Sequence, residues 1–456
     1  MKTISLGLKL LVVAAVTGII LIALAMINST ISERQQFRND ARQSIEASYA
    51  GPQTLIGPVL VRPYTQTTVT NEPNDKGVVR PVSHTVSLNA ISFPSTFDVR
   101  GQLKPSQRRH GLYTVTVYEL TAHLTGNIPV TPPQTTGTIQ WGAPYLALSV
   151  DDVRGFVGTP SVVINGQPAP LVHASDALTG WTPNLHIPLR ALNPTGDKID
   201  FAMDIALGGT ESLSIAPIAD SNHIELASTW HSPLFDGRFL PRDRSVSPAG
   251  FTAAWDVPSL ATGTQLQLQS ATSVPVDLLT VNLLTPIDPY KLSDRATKYG
   301  ILFIILTFAG FFLFEMVKQL PIHPIQYLLV GFGLAIFFLL LISFSEHIPF
   351  ASAYLISSAA CIGLLTFYLS YVLRSAARGL TFGGVLTLLY AAVYGLLISE
   401  DNALILGSLL LFAVLAAVMV FTRRIDWYKA GPLKTPTPPP PPPASPLDPL
   451  SIRLNS

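Results

Sequence analysis

The chain has 456 residues, 48% of them hydrophobic and only 12% charged, with a net charge of +1 and a single cysteine. That balance excludes the clustered basic surface of a nucleic-acid-binding protein, and one cysteine excludes a fold built on internal disulfides. The apolar residues gather into six runs, one near the N-terminus and five close together after a long polar interval, which is the pattern of a polytopic membrane protein.

The first run, Leu10–Ile27, has about the length of ~20 residues that an α-helix needs to cross hydrocarbon. Lys2 and Lys9 precede it, and Ala23-Leu24-Ala25 has the small-x-small form of a signal-peptide cleavage site. Met26 and Ile27 prolong the apolar stretch beyond a signal core, so an uncleaved anchor is expected over residues 1–28. Ser32–Ala47 then reads as a polar continuation of the helix, ended by Gly51-Pro52. Its Arg34, Arg38 and Arg42 share one face, toward lipid phosphates or toward solvent.

Beyond Pro52 the period changes to two. Ile199, Phe201, Met203, Ile205 and Leu207 alternate with Asp200, Ala202, Asp204 and Ala206, as in a strand with one face on a core. Gln265–Gln269 and Ser212–Ile215 alternate in the same way. Further strands are expected over Leu55–Val69, Val82–Phe93, Leu112–Leu124, Tyr145–Val150, Val162–Ile164, Ile224–Thr229 and Asp277–Leu284. Asn165-Gly166 is a hairpin-turn signal. Many short strands between Gly, Pro and Asn predict a large antiparallel sandwich over residues 29–297, without disulfides. Tyr113, Tyr118, Trp141, Trp181, Trp230 and Trp255 would line its core, or else a glycan- or protein-binding surface.

The other five runs, Tyr299–Val317, Gln326–Phe344, Ser352–Leu373, Leu380–Ile398 and Ala403–Phe421, predict a five-helix bundle over residues 298–429. Lys318, Arg374, Arg378, Arg423, Arg424 and Lys429 flank helix ends on one side, together with Lys2 and Lys9. The opposite connections, Ser345–Ala351 and Ser399–Asn402, contain neither Lys nor Arg. By the positive-inside rule both termini are cytoplasmic and the β-rich block lies outside, in a bacterium the periplasm. Residues 430–456, with Pro438–Pro443, read as a disordered proline-rich cytoplasmic spacer.

Few residues carry a chemical signal. Glu315 stands in an aromatic and aliphatic stretch near a helix end, where a carboxylate is costly enough to be a functional suspect. The bland reading is an interfacial anchor or an ion pair with Lys318. Glu346 and His347 open one outer connection and Glu400 and Asp401 the other, polar groups expected where helices leave a bilayer and without metal-ligand spacing. His323 before Pro324 sits in a turn between helices and reads as a cap. Asp294, Arg295 and Lys298 suit lipid headgroups at the start of the second helix and are expected to couple the outer domain to the helices. Cys361 reads as a small packing residue. No His-Glu-x-x-His, Gly-x-Ser-x-Gly or phosphate-loop motif occurs, so neither catalytic residues nor a cofactor or metal is predicted.

Several segments in order resemble the CreD family of bacterial inner-membrane proteins. They are Gly51-Pro52-Gln53 with Gly57-Pro58, Gly111-Leu112-Tyr113 with Val117-Tyr118, Asp152-Val153-Arg154-Gly155, and Trp230-His231-Ser232-Pro233 through Phe239-Leu240-Pro241. Leu292–Tyr299 running into Phe311–Glu315, His323–Gly331, Ser345-Glu346-His347 and Thr422–Tyr428 complete the set. The resemblance covers about residues 4–429 and leaves out the proline-rich tail. It implies a multi-pass inner-membrane protein associated with envelope integrity and envelope stress, including stress from β-lactams. No reaction is implied, and no residue inherits a chemical role.

The expected architecture is therefore six transmembrane helices plus a large, mainly-β, sandwich-like periplasmic domain. Its partners would be the lipid bilayer and a periplasmic envelope protein or cell-wall component, bound without catalysis. The alternative is a transporter or membrane enzyme for lipid or cell-wall precursors that uses Glu315 in the bundle.

Overall fold

The computed structural model describes residues 6–73, 79–133, 135, 137–174, 178, 181–189, 198–270, 275–283, 289–318, 322–399 and 402–423. Contacts divide the chain into two compact units, Glu33–Asp288 and the combination of Met1–Ser32 with Pro289–Ser456. The proline-rich tail, Glu400 and Asp401 lie outside the described residues.

Helix α1 (Leu6–Ser48) begins in the helical unit and ends in the β unit. Strands follow as β1 (Gln53–Pro73), β2 (Val79–Ser92), β3 (Thr96–His110), β4 (Tyr113–Pro129), β5 (Thr138–Trp141) and β6 (Tyr145–Val150). Next come β7 (Ser161–Ile164), β8 (Gln167–Pro168), β9 (Val172–His173), β10 (Leu185–Pro188), β11 (Lys198–Thr210) and β12 (Ser212–Ile215). The last are β13 (Ser221–Ser228), β14 (Leu234–Gly237), β15 (Asp243–Ser247), β16 (Gly250–Pro258), the short helix α2 (Thr264–Gln269) and β17 (Leu279–Asn282).

Among the described residues these strands form two sheets. One runs β14-β17-β12-β1-β6-β10-β9, with β2 and β5 also on β1; the other runs β15-β16-β13-β3-β4-β11-β7-β8. Alternation decides the faces. In β11 Ile199, Phe201, Met203, Ile205 and Leu207 are buried while Asp200 and Asp204 are exposed. A single apolar core joins the two sheets, with Leu60 and Leu146 from the first and Phe97, Leu120 and Trp255 from the second. Trp255 satisfies its one donor by bonding the Phe239 carbonyl at 3.1 Å. Asn165 and Gly166 both have positive φ and close the β7–β8 hairpin, as the dipeptide predicts.

Two expectations fail. The sandwich is not wholly antiparallel, because β1–β12 and β3–β13 are parallel pairs. Gln265–Gln269 is no strand but lies in α2. As a strand it would put Leu266 and Leu268 on one face, yet Leu266 is 74% exposed and Leu268 is 2% exposed. Leu268 instead shares its buried face with Thr264, at helical spacing. The turn is held by Asp277, whose carboxylate accepts from the Gly263 amide at 3.0 Å and from Gln267 Nε2 at 3.2 Å.

The helical unit adds α3 (Pro289–Lys318), α4 (Pro324–Ser345), α5 (Phe350–Val372), α6 (Ala376–Ile398) and α7 (Ala403–Thr422). Five described helices, α1 and α3 to α6, are long and apolar enough to cross a membrane; in α7 the apolar stretch is the shorter Ile405–Val420. Their shared core holds Ile20, Phe303, Phe311, Leu334 and Phe337. Ile301, Leu329, Leu364 and Leu388 stay exposed, which suits a hydrocarbon solvent. Small residues bring the helices close: an added Cβ at Gly331 would lie 2.6 Å from Ile20, and one at Gly383 would lie 2.2 Å from the Thr366 hydroxyl.

Candidate functional site

In the helical unit the sequence predicts one suspect, Glu315, and the fold gives it a partner. Glu315 stands three residues before the end of α3 and Tyr327 three residues after the start of α4, two helices that pack together. Glu315 is 5% exposed, and Tyr327 Oη donates to its Oε2 at 2.7 Å. The Tyr327 ring packs against Phe311 and Phe308, at centroid distances of 4.7 and 5.9 Å, which fixes the hydroxyl. Chemically this is a carboxylate with an oriented phenol donor in apolar surroundings; mechanically it is a polar tie between α3 and α4. The side chain of Lys318, the expected ion-pair partner, lies outside the described residues.

A second buried polar row links α4, α5 and α6. Tyr390 Oη donates to Cys361 Sγ at 3.0 Å, the thiol donates to the Gly333 carbonyl at 3.2 Å, and Tyr354 Oη donates to the Tyr390 carbonyl at 2.8 Å. Phe303 and Phe337 cover Tyr390, with centroids 4.6 and 4.7 Å away. Cys361 is thus a buried link in helix packing.

The remaining predicted residues stay apart. His323 caps α4: its Nδ1 accepts from the Ile325 amide at 3.3 Å, while Gln326 Oε1 accepts from the His323 amide at 2.9 Å. Lys298 and Asp294 form an i,i+4 ion pair at 2.7 Å, a surface pair of small energetic weight, and Arg295 is half-buried nearby on α3. Glu346 accepts from Tyr290 Oη at 3.3 Å, and the His347 amide only closes the turn on Phe344. Among the described residues no three His, Cys, Asp or Glu side chains gather as a metal site.

In the β unit the quoted motifs converge on the end of α1. Gln53, 1% exposed, donates from Nε2 to the Asp152 and Gly208 carbonyls at 2.9 and 3.1 Å and accepts from the Asp152 amide at 3.1 Å. Arg154 binds Asp152 at 2.6 Å and donates to the Ala47 carbonyl at 2.7 Å, tying the last turn of α1 to the sandwich. The side-chain hydrogen bond between Arg154 and Asp152 holds the Asp152 carboxyl below its ordinary range and raises the Arg154 guanidinium. Gly155 is obligatory there, since an added Cβ would meet the Gly208 carbonyl oxygen at 2.4 Å. Sequence reasoning missed this cluster because its members lie far apart in the chain.

The outward face of the second sheet carries an open depression of about 770 Å³ lined by Arg100, His123, Asp204, Glu225 and Arg244 among others. Polar pairs span it: His123 hydrogen-bonds Asp204 at 2.7 Å, and Arg100 approaches Glu225 at 3.9 Å. Beside it His223 bonds Asp256 at 2.7 Å and approaches Glu225 at 3.4 Å. Of the six aromatics considered for a binding surface, Tyr118, Trp230 and Trp255 belong to the core, and Trp141, half-buried, stacks on Arg62.

The hydrogen bond to Asp256 raises the His223 pKa, against a smaller opposing effect of burial. A raised folded pKa stabilises fully below the unfolded value of ~6.5, and that contribution is lost as pH rises through the folded value. Thermal unfolding of wild type and His223→Gln is therefore expected to differ most near pH ~6 and to converge near pH ~8. Equal gaps at both pH values would refute the coupling.

The profile of the family described as Inner membrane protein CreD matches residues 5–428. Inner membrane protein CreD of Escherichia coli (strain K12) is 35% identical over 421 residues, covering 90% of this chain and 91% of that protein. Among solved structures, the M1 zinc metallopeptidase from Deinococcus radiodurans is 11% identical over 42% of this chain and 42% of its own, with a TM-score of 0.23. Likeness at that level carries no chemical implication.

Proposed function

Since the chain belongs to the CreD family of inner membrane proteins, we propose that it supports cell-envelope integrity and the response to envelope stress, including stress from β-lactams. In this reading six helices cross the inner membrane, both termini are cytoplasmic, and the β-sandwich works in the periplasm. The sandwich binds or scaffolds an envelope protein or a cell-wall component, and the helices hold it at the bilayer. Lys318, Arg374, Arg378 and Arg423 beside helix ends support the orientation.

The observation that carries the scaffold reading is the contrast between the two units. In the helical unit two buried polar contacts tie helices to one another, Tyr327 with Glu315 and Tyr390 with Cys361. The sandwich instead offers an open, charged depression on an outward face. One observation favours the alternative, a transporter or membrane enzyme for lipid or cell-wall precursors: Glu315 is a carboxylate buried among apolar side chains.

A strain lacking the protein, scored for sensitivity to detergent and to a β-lactam, separates the two. Glu315→Gln keeps an acceptor for Tyr327 and removes the ionisable group. The expected result is full protection by this variant at normal membrane abundance. Loss of protection at normal abundance would transfer the function to proton-linked chemistry among the helices.

A further inference from the structure

The β1–β2 arm has an open edge whose chemistry is self-complementary. The two strands pair without interruption from Leu60↔Ser92 to Pro73↔Val79. Among the described residues no strand pairs with the other side of β2, and Val79–Asn89 is exposed throughout. The Pro63 carbonyl accepts from the Gly142 amide at 2.8 Å, on the side of β1 away from β2. Because backbone groups alternate in direction along an antiparallel ladder, Asn89, opposite Pro63, directs its N–H and C=O outward, as do Ser87, Thr85 and Ser83. Pro81 belongs to the same outward set, so its missing N–H costs the ladder nothing.

Natural edge strands are blunted by lysines, inward charges, prolines or bulges. From Val82 to Ser92 this edge has none of these; its one titratable residue, His84, is bonded to Glu72 at 2.6 Å. Val82, Val86 and Leu88 add an exposed apolar stripe on the face opposite the outward Ser and Thr side chains. We propose that β2 pairs antiparallel with β2 of a second copy of the chain, joining the two arms into one continuous sheet about a two-fold axis.

The argument for a second copy is the near-palindrome of Val82–Leu88. Centred on Thr85, the pairing sets Thr85 against its counterpart, Ser83 against Ser87, and Val82 beside Leu88. Hydroxyl pairs and apolar pairs of this kind stabilise antiparallel neighbours, and the contact is isologous, as a two-fold dimer requires. Arg80 falls opposite Ala90, so no like charges meet across the seam. A Thr67–Thr85 hydroxyl contact of 3.3 Å already extends the same ladder within one arm.

The full-length chain in lipid nanodiscs provides the test. Oxidation of Thr85→Cys is expected to give a reductant-sensitive covalent dimer, while Thr121→Cys on the other sheet and wild type, whose only cysteine is the buried Cys361, give none. Thr85→Pro removes an outward N–H and leaves the bonds to β1; Thr85→Lys places two like charges directly opposite each other at the two-fold axis. Both are expected to reduce the mass by light scattering from two copies to one, with unchanged thermal unfolding. A single-copy wild type, a Thr85→Cys dimer no more abundant than that of Thr121→Cys, or two-copy mass retained by both edge variants would overturn the proposal. So would cross-linking of Thr85→Cys in native membranes to another protein in place of itself.

Discussion

Replacing Gln53 by alanine is expected to destabilise the sandwich by about 3–5 kcal/mol, enough to lower the abundance of the whole protein. The amide bonds three backbone groups, the Asp152 carbonyl and amide and the Gly208 carbonyl, and it is almost completely buried. Alanine leaves those groups with fewer partners where water is scarce, and leaves a cavity as well. Each orphaned buried polar group costs about 1–3 kcal/mol, far more than the net worth of a made hydrogen bond. Gln102→Ala, at an exposed position of β3, is the matched control and is expected to stay within about 0.5 kcal/mol of wild type. Thermal unfolding of both variants in detergent, with hydrogen exchange read at the end of α1, checks the result. Equal stabilities would mean that the Asp152–Gly155 turn is held by Arg154 alone.

Gly383→Leu is expected to separate α5 from α6 and to cost about 3 kcal/mol or more, beyond ordinary overpacking. Gly379 and Gly383 are one helical turn apart on α6 and face Ser370 and Thr366 of α5. An added Cβ at Gly379 would stand 2.8 Å from the Ser370 Cα, so side-chain adjustment alone does not relieve it. Between membrane helices no hydrophobic effect compensates a lost fit, and close backbone approach supplies the association energy. The neighbouring Gly384 has nothing within 4 Å, and Gly384→Leu is expected to be neutral. A lower melting temperature and lower abundance for the first variant, against wild-type values for the second, would confirm the interface. Similar behaviour of both would refute it.

Much of the fold is legible in the sequence because local periodicity reports which faces meet which solvent. Strand β11 follows from its strict alternation, and α1, α3, α4, α5 and α6 from apolar runs of membrane-spanning length. The His323-Pro324 turn and the Asn165-Gly166 hairpin follow from residues whose backbone preferences leave few alternatives. Strand β3 is harder to recognise. Its inward position 101 is glycine, with Leu226 and Leu120 filling the space a side chain would take, so the apolar alternation is broken there. Of the candidate residues, Glu315 is conspicuous by composition alone, whereas Tyr327 looks like any other aromatic in an apolar helix.

The kinds of element, their order and the solvent each face requires follow from neighbours within a few residues. Packing of the whole chain set which elements meet. It turned Gln265–Gln269 into a helical turn around Asp277, made β1–β12 and β3–β13 parallel, set Tyr327 against Glu315, and brought Gln53, Asp152 and Gly208 into one cluster. The physical reason is the same in each case. A buried polar group takes whichever partner the packed chain presents to it, and that partner's distance along the sequence leaves no local trace.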